Sequence, residues 1–489
     1  MQRIGWSGFF AGPLAGLLLY LLLPEAADGG LDTAGRATVA IGTWMAVWWM
    51  TEAIPLPVTA LLPVVLFPLA GVMPAAMALA PYASEIVFLF MGGFMIGLAM
   101  QRWSLHTRIA LRIVRIVGTA PRRLVAGFML ATALLSMWIS NTAATVMLLP
   151  MGISVIELMR RHLDLEDPKV AQTLRSFATC LMLGMAYGAS IGGLGTLIGS
   201  PPNLILANFA RAEMDIDIGM WDWMKVGLPL VAVMLPLTWL YLTRLVFPLR
   251  IEVPEAARME IREDLERLGP MSRAERMLLG VFVATASAWI LRPQIVHWTG
   301  IEGLTDAVIA MCGAVSLFLL PVDVRQRKFL LDWDTAQRLP WGILLLFGGG
   351  LSLAAAISAN GVDAWLASGF SGLHGIHILW VMLAASALVV LLTSMFSNTA
   401  IATTFIPVLA AATMGLGIAP LPVLFAAAFA ATCAFMLPVA TPPNAIVFAS
   451  GHVRIADMVR AGLGLNILAV AVIVLVVKGL GGWLLPAMP

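Results

Sequence analysis

The stretch LLSMWISNTA at 134–143 returns as LLTSMFSNTA at 391–400. The copies share six of ten residues and stand 257 positions apart (397 − 140). Each SNTA tetrapeptide lies in a segment free of charge: no Asp, Glu, Lys, Arg or His occurs from Leu124 to Ile156 or from Ile378 to Gly451. Working outward, the same offset pairs Pro150 with Pro407 and LFMGG at 89–93 with LFGGG at 346–350. A further pair, GSPPN at 199–203 and ATPPN at 440–444, is offset by 241 (440 − 199). The 16 residues of difference (257 − 241) match a charged linker near 159–175 that only the first half carries. Four landmarks in one order establish an internal duplication.

Composition sets the surroundings of that repeat. Of 489 residues, 60% are hydrophobic and 11% charged, against about 25% charged in a soluble domain. With a mean hydropathy of +0.93, the chain is an integral membrane protein. The net charge of +2 and the absence of a basic, aromatic patch offer nothing to nucleic acid. Cys180, Cys312 and Cys433 lie scattered in apolar runs and read as core fillers. The first apolar run, near 5–23, reads as a spanning helix and not a cleaved leader, since no clear A-x-A site follows it.

Segments of spanning length fall near 5–23, 37–51, 53–73, 83–101, 176–210, 226–248, 277–292, 303–322, 341–358, 421–449 and 461–485. Residues 124–156 and 378–413 are each about twice a spanning length, with SNTA near the middle. Residues 101–123 hold six arginines and no acid, which places them in the cytoplasm. The basic DVRQRKFLLDWDTAQR falls on the same side, and the acidic PEAADGGLD and RAEMDIDIGMWD suit the outside. Residues 249–276 are rich in both signs and read as a solvated cytoplasmic or interfacial helix. Five crossings separate the SNTA segments: 176–210, 226–248, 277–292, 303–322 and 341–358. If each SNTA segment dips in and returns on its own side, an odd count puts the two on opposite faces, as in inverted-repeat transporters.

Within lipid every backbone N–H and C=O needs a partner. Ser, Asn and Thr compete for backbone hydrogen bonds and favour helix N-termini, so SNT inside an apolar run predicts a turn that ends one half-helix and caps the next. Consecutive prolines remove two donors and push the preceding residue out of the α region, so GSPPN and ATPPN predict two further breaks. Four interruptions expose helix N-termini, which attract anions. They also expose carbonyls, hydroxyls and amide oxygens, hard neutral ligands suited to sodium. The combination predicts an ion-coupled anion transporter. Without a titratable relay in these segments, sodium is favoured over protons. The anion would be held without arginine, by helix ends, amides, hydroxyls and bound cations.

Other features read as structural. Neither SNTA is a glycosylation sequon, because Ala takes the third position. The glycines of FMGGFMIG and LFGGGLSL predict close packing or kinks, since no strand precedes them. His374 and His377 have metal-like spacing but no partner cluster, and read as loop residues. Glu52 in WWMTEAIPLP reads as a residue of a cytoplasmic helix junction.

At WWMTEAIPLPVTALLP, both SNT motifs and both Pro-Pro-Asn breaks, nearly the whole chain resembles the divalent anion/sodium symporter family, which includes the sodium-dependent dicarboxylate transporters. The resemblance implies an all-α, multi-pass inner-membrane homodimer with an elevator mechanism. Each protomer would have eleven spanning helices and two re-entrant hairpins, with SNT at the hairpin tips. It implies one sodium site at Ser136, Ser140, Asn141 and Gly199, and a second at Thr393, Ser397, Asn398 and Ala440. The substrate carboxylates would meet Asn141, Thr142, Asn398, Thr399, Thr441 and Pro442, with Ser140, Ser397, Ser200 and Pro201 beside them. Residues 124–248 and 374–489 would form the moving transport domain, 1–123 and 277–373 the scaffold, and 249–276 the linker. The N-terminus is expected in the cytoplasm and the C-terminus outside.

The resulting expectation is sodium-coupled import of a C4-dicarboxylate such as succinate, malate or fumarate. A sulfate or tricarboxylate symporter, a dicarboxylate antiporter and, in another class, an anion channel remain open. An enzyme is not expected, since no motif pairs a nucleophile with a base and sodium is the one cofactor implied.

Overall fold

Asp32 opens the helix Thr33–Thr51 by accepting the Gly35 N–H at 2.6 Å, and Glu52 closes it in a left-handed conformation, φ 48°. The chain then turns at the junction where the sequence placed Glu52. A computed structural model of the protein describes residues 6–25, 30–163, 166–249, 269–370 and 375–484. Among the described residues almost every element is a helix; the exception is a small antiparallel pair, Pro321–Asp323 with Lys328–Phe329, in the basic loop. The all-α expectation is corrected to that extent.

Prolines and glycines decide where the apolar runs break. The run at 53–73, expected as one span, is divided into Leu56–Thr59 and Leu62–Leu69. Pro57 and Pro63 sit in the first turns of these pieces, where a missing N–H costs least. The run at 277–292 is a helix Arg273–Ile290 bent by 74° into Arg292–Thr299. Among the described residues six helices are long and apolar enough to cross a membrane alone, and this bent pair makes a seventh. The remaining expected crossings fall on the 19-residue helix Thr33–Thr51 and on short or interrupted helices, including Pro168–Gly192 with Pro201–Met214 and Pro420–Thr432 with Pro442–Ala449.

Residues 250–268, most of the expected linker helix, lie outside the described residues, as does His374. Where the linker re-emerges, Arg108 donates to the Gly269 carbonyl at 2.8 Å and to Glu275 at 2.7 Å. Glu275 also accepts the Ser272 N–H at 2.7 Å, closing a capping box at the start of Arg273–Ile290. This buried ion pair is satisfied by further hydrogen bonds, the condition under which burial of two charges is tolerated.

The repeated glycines let helices approach closely. A Cβ on Gly349 would lie 2.2 Å from the Ala60 carbonyl, and one on Gly92 2.7 Å from Ala310 backbone. His377 caps the helix Ile378–Thr393 by accepting the Leu379 N–H. Cys180 and Cys433 are buried, whereas Cys312 is exposed on Asp306–Leu319. That corrects the core-filler reading for Cys312, whose side of the helix points away from the packed interior.

Candidate functional site

Both SNTA tetrapeptides interrupt a helix where the sequence predicts. Helix Pro121–Ser136 ends, four residues turn, and Asn141–His162 begins. In the second half Ile378–Thr393 gives way to Asn398–Gly415. Ser140 is extended at φ −62°, ψ 145°, and Ser397 at φ −60°, ψ 130°. The Pro-Pro breaks repeat as closely: Ser200 has φ −144°, ψ 141°, and Thr441 φ −142°, ψ 148°. Equivalent residues thus adopt equivalent backbone in both halves, and all four begin a helix. Four N-terminal helix ends, each with its partial positive charge, are the result.

The packing of these pieces crosses between halves. Helix Asn141–His162 packs on Pro442–Ala449, and its counterpart Asn398–Gly415 packs on Pro201–Met214. Each polar turn therefore starts a helix that is seated on the other half's break. The Ser200 and Thr432 hydroxyls, 3.0 Å apart and buried, join the first break to the helix that enters the second. The Tyr187 hydroxyl reaches across in the same sense, donating to the Phe435 carbonyl at 2.8 Å.

Around the first turn, oxygen atoms converge. The buried Ser136 hydroxyl donates to Asn141 Oδ1 at 2.5 Å. A Cβ on Gly193 would lie 2.6 Å from that same Oδ1 and 3.0 Å from the Gly199 carbonyl oxygen. Ser136, Asn141 and Gly199 are thus gathered at one point, with the absent side chain of Gly193 leaving the room. Ser140 is turned to its own helix, its hydroxyl accepting the Ala143 N–H at 3.2 Å. The break is tied to this turn by a short hydrogen bond from the Thr196 hydroxyl to the Met137 carbonyl.

The second turn is related but not identical. Thr393 donates to the Ala431 carbonyl at 2.8 Å, and its hydroxyl lies 3.4 Å from Asn398 Oδ1. Ser397 caps its helix without a side-chain hydrogen bond. Ala440 is buried and closes a turn onto Leu437. Among the described residues no hydrogen bond joins it to Thr393, Ser397 or Asn398. The Ala431 carbonyl, in the last turn of Pro420–Thr432, is the backbone oxygen that Thr393 meets. Thr142 and Thr399 are half-buried, and neither hydroxyl makes a hydrogen bond among the described residues, leaving both able to donate to a ligand. Thr441 accepts the Asn444 N–H at 3.3 Å. Pro201 is half-buried and Pro442 exposed at the starts of their helices.

A family model described as sodium:sulfate symporter transmembrane region matches residues 8–486. The chain belongs to the sodium:sulfate symporter family. Within that family it is 41% identical over 472 residues to a sodium-dependent dicarboxylate transporter of Staphylococcus saprophyticus, covering 96% of this chain and 90% of the relative. A protein of the same description from Staphylococcus aureus is 39% identical over 473 residues, with the same coverage. The fold of this symporter-family chain is similar to the crystal structure of the Alcanivorax borkumensis YdaH transporter, with TM-score 0.58, 14% identity and 99% of each chain covered. It is also similar to Neisseria gonorrhoeae MtrF, with TM-score 0.54, 12% identity and 81% of each chain covered.

Several residues of this symporter's site escaped sequence reasoning. Asn203 donates from Nδ2 to the Gly193 and Thr196 carbonyls at 2.7 and 2.8 Å. Asn444 does the same to Ala434 and Leu437 at 2.9 and 3.1 Å. Each buried amide pins the unwound carbonyls of its own break. Both are the third residue of a Pro-Pro-Asn motif, the position at which a buried amide can reach back to the carbonyls of the break. Asn466 accepts the Phe435 N–H at 3.2 Å and donates to Ser394 at 3.1 Å, tying the last helix to the second turn and break. An amide inside a long apolar helix could have been flagged; Thr432 and Tyr187 carried no such mark.

Proposed function

We propose that this member of the family imports a C4-dicarboxylate, such as succinate, malate or fumarate, by symport with sodium. The observation that carries this reading is the crossed seating of the two SNT helices on the opposite Pro-Pro breaks, which collects neutral oxygens and helix N-termini without a buried charge. Uncharged ligands of this kind suit an alkali cation, and the cation in turn offsets a dianion. The descriptions of the relatives as sodium-dependent dicarboxylate transporters support the choice of cation and anion.

In this reading Ser136, Ser140, Asn141 and Gly199 hold one sodium, and Thr393, Ser397, Asn398 and Ala440 hold the second. Ser140, Asn141, Thr142, Ser397, Asn398, Thr399, Thr441 and Pro442 face the carboxylates, with Ser200 and Pro201 beside them. Sodium organises the two turns before the dianion binds, which is the origin of coupling. The SNT segments are re-entrant hairpins of an inverted repeat, eleven helices span the membrane, and the N-terminus is cytoplasmic with the C-terminus outside. Residues 124–248 and 374–489 move as one body against a dimeric scaffold formed by 1–123 and 277–373, with 249–276 as the linker. The test is uptake of labelled succinate into proteoliposomes with and without an inward sodium gradient. Equal uptake in both would refute coupling. Because the matching family model is described for sulfate, sulfate is the second substrate reading, and competition by a panel of anions separates the two.

A further inference from the structure

We propose that a cavity at the arginine-rich end of the two broken helices binds a phosphate-bearing anion, at a place separate from the SNT site. The cavity holds about 830 Å³ and is lined by Arg160, Gln172, Arg175, His452, Arg454 and Asp457, among others. Its volume falls in the range of about 300–1,000 Å³ common to small-molecule sites. None of these residues belongs to the proposed sodium or dicarboxylate ligands. The walls come from both halves: the end of Asn141–His162, the start of Pro168–Gly192, and the segment leading into Ile455–Leu484. Thr179 holds them together by donating to the His452 carbonyl at 2.9 Å.

The charge is unbalanced. Among the described lining residues three guanidinium groups face one carboxylate, a surplus of two positive charges (3 − 1) before His452 is considered. Asp457 is already engaged by Arg454 at 2.8 Å. Arg160 meets Glu157 only at 3.9 Å, too far for a hydrogen bond. Arg175 makes no ion pair or hydrogen bond among the described residues. Asp167 takes the Lys169 amide at the neighbouring helix start, so the guanidinium forks and not the helix end would carry the anion. A fork matches two oxygens of one phosphate, and the volume leaves room for whatever the phosphate is attached to.

Two sources share that chemistry. Phe247 in the wall leads directly into the linker at 249–276, whose end is held by Arg108 of the six-arginine stretch. The cavity thus opens on the side that the arginine distribution makes cytoplasmic. A soluble nucleotide could enter from there, and the headgroup of an anionic phospholipid could enter from the adjoining leaflet.

The test uses the full-length protein. ATP and pyrophosphate are titrated in detergent, and phosphatidylglycerol is compared with phosphatidylcholine in nanodiscs, with binding and thermal stabilisation as readouts. Arg160→Gln/Arg175→Gln is expected to weaken the response about tenfold or more, as loss of two charge-assisted contacts should. Arg112→Gln/Arg115→Gln, exposed arginines outside the cavity, should leave it unchanged. Saturable ATP or pyrophosphate binding identifies a soluble ligand; stabilisation by phosphatidylglycerol alone identifies the headgroup. No response to any of these probes, or an equal response in the cavity variant, overturns the proposal. Sodium-dependent succinate binding by the double variant reports that it is folded. If that binding is lost, Arg175→Lys, which keeps charge but removes the fork, is read instead, and undiminished anion binding there overturns the proposal.

Discussion

Among single residues, the asparagines separate two roles that look alike in the sequence. Asn141 and Asn398 begin helices at the turns and expose Oδ1 to neighbouring hydroxyls. Asn203 and Asn444 are buried and use both Nδ2 hydrogens on break carbonyls. The first pair should be ligands and the second pair should be splints. Asn141→Ala or Asn398→Ala is therefore expected to abolish sodium-dependent succinate binding with little change in melting temperature. If both variants keep normal affinity, these side chains are not ligands. Asn203→Ala leaves two buried carbonyls without a donor, at about 1–3 kcal/mol for an unsatisfied group. It should lower the melting temperature and weaken sodium binding together. A thermal melt in saturating sodium, beside one in choline, checks this; an unchanged melt with unchanged sodium stabilisation would mean the amide supports nothing.

At the level of elements, the breaks and turns were legible because their chemistry is local. Two prolines in a row or SNT in an uncharged run cannot sit in an ordinary lipid-facing helix, and both copies behaved accordingly. The division of 53–73 was also written in Pro57 and Pro63, but hydropathy averaged over a window smooths such breaks away. What could not be read was the crossed packing. Whether Asn398–Gly415 seats on its own break or on Pro201–Met214 depends on contacts between helices whose starts are 197 residues apart (398 − 201), which no local pattern encodes. The same is true of the contacts of Thr432 with Ser200 and of the Ala431 carbonyl with Thr393. Gly193 offers a steric test of how closely the first break must approach its turn. Its backbone, φ −57°, ψ −17°, suits any residue, so Gly193→Ala adds only a methyl, 2.6 Å from Asn141 Oδ1. Sodium affinity should fall by about tenfold or more while the fold survives, since overpacking costs roughly 1–3 kcal/mol. Gly280→Ala, with nothing within 4 Å, is the control. Equal sodium titrations for the two variants would show that Asn141 and Gly199 do not act at one point.

For the whole molecule, the question is what moves against what. The end of Pro201–Met214 and the loop after it, in the proposed moving body, are tied to the proposed scaffold by ions: Arg211 meets Glu85 at 2.6 Å, and Asp217 lies 3.4 Å from Arg292. Partly exposed pairs of this kind contribute only about 0–1 kcal/mol each, so they can hold one arrangement without trapping it. Rigid-body movement requires the Arg211–Glu85 contact to break in every cycle, whereas the Ser200–Thr432 contact inside the moving body should persist. A covalent bridge distinguishes these two kinds of contact. In a Cys312→Ser background, which removes the exposed native thiol, Glu85→Cys/Arg211→Cys joined by a short bifunctional thiol reagent should arrest sodium-driven succinate uptake. Adding a cleavable version of the reagent and then cutting it should restore uptake. A bridge between Thr179→Cys and His452→Cys, whose parent residues are already hydrogen-bonded within the moving body, should leave uptake nearly intact. Continued transport with the 85–211 bridge fully formed would mean that the two bodies do not separate there, and that the substrate crosses by local gating around a fixed site.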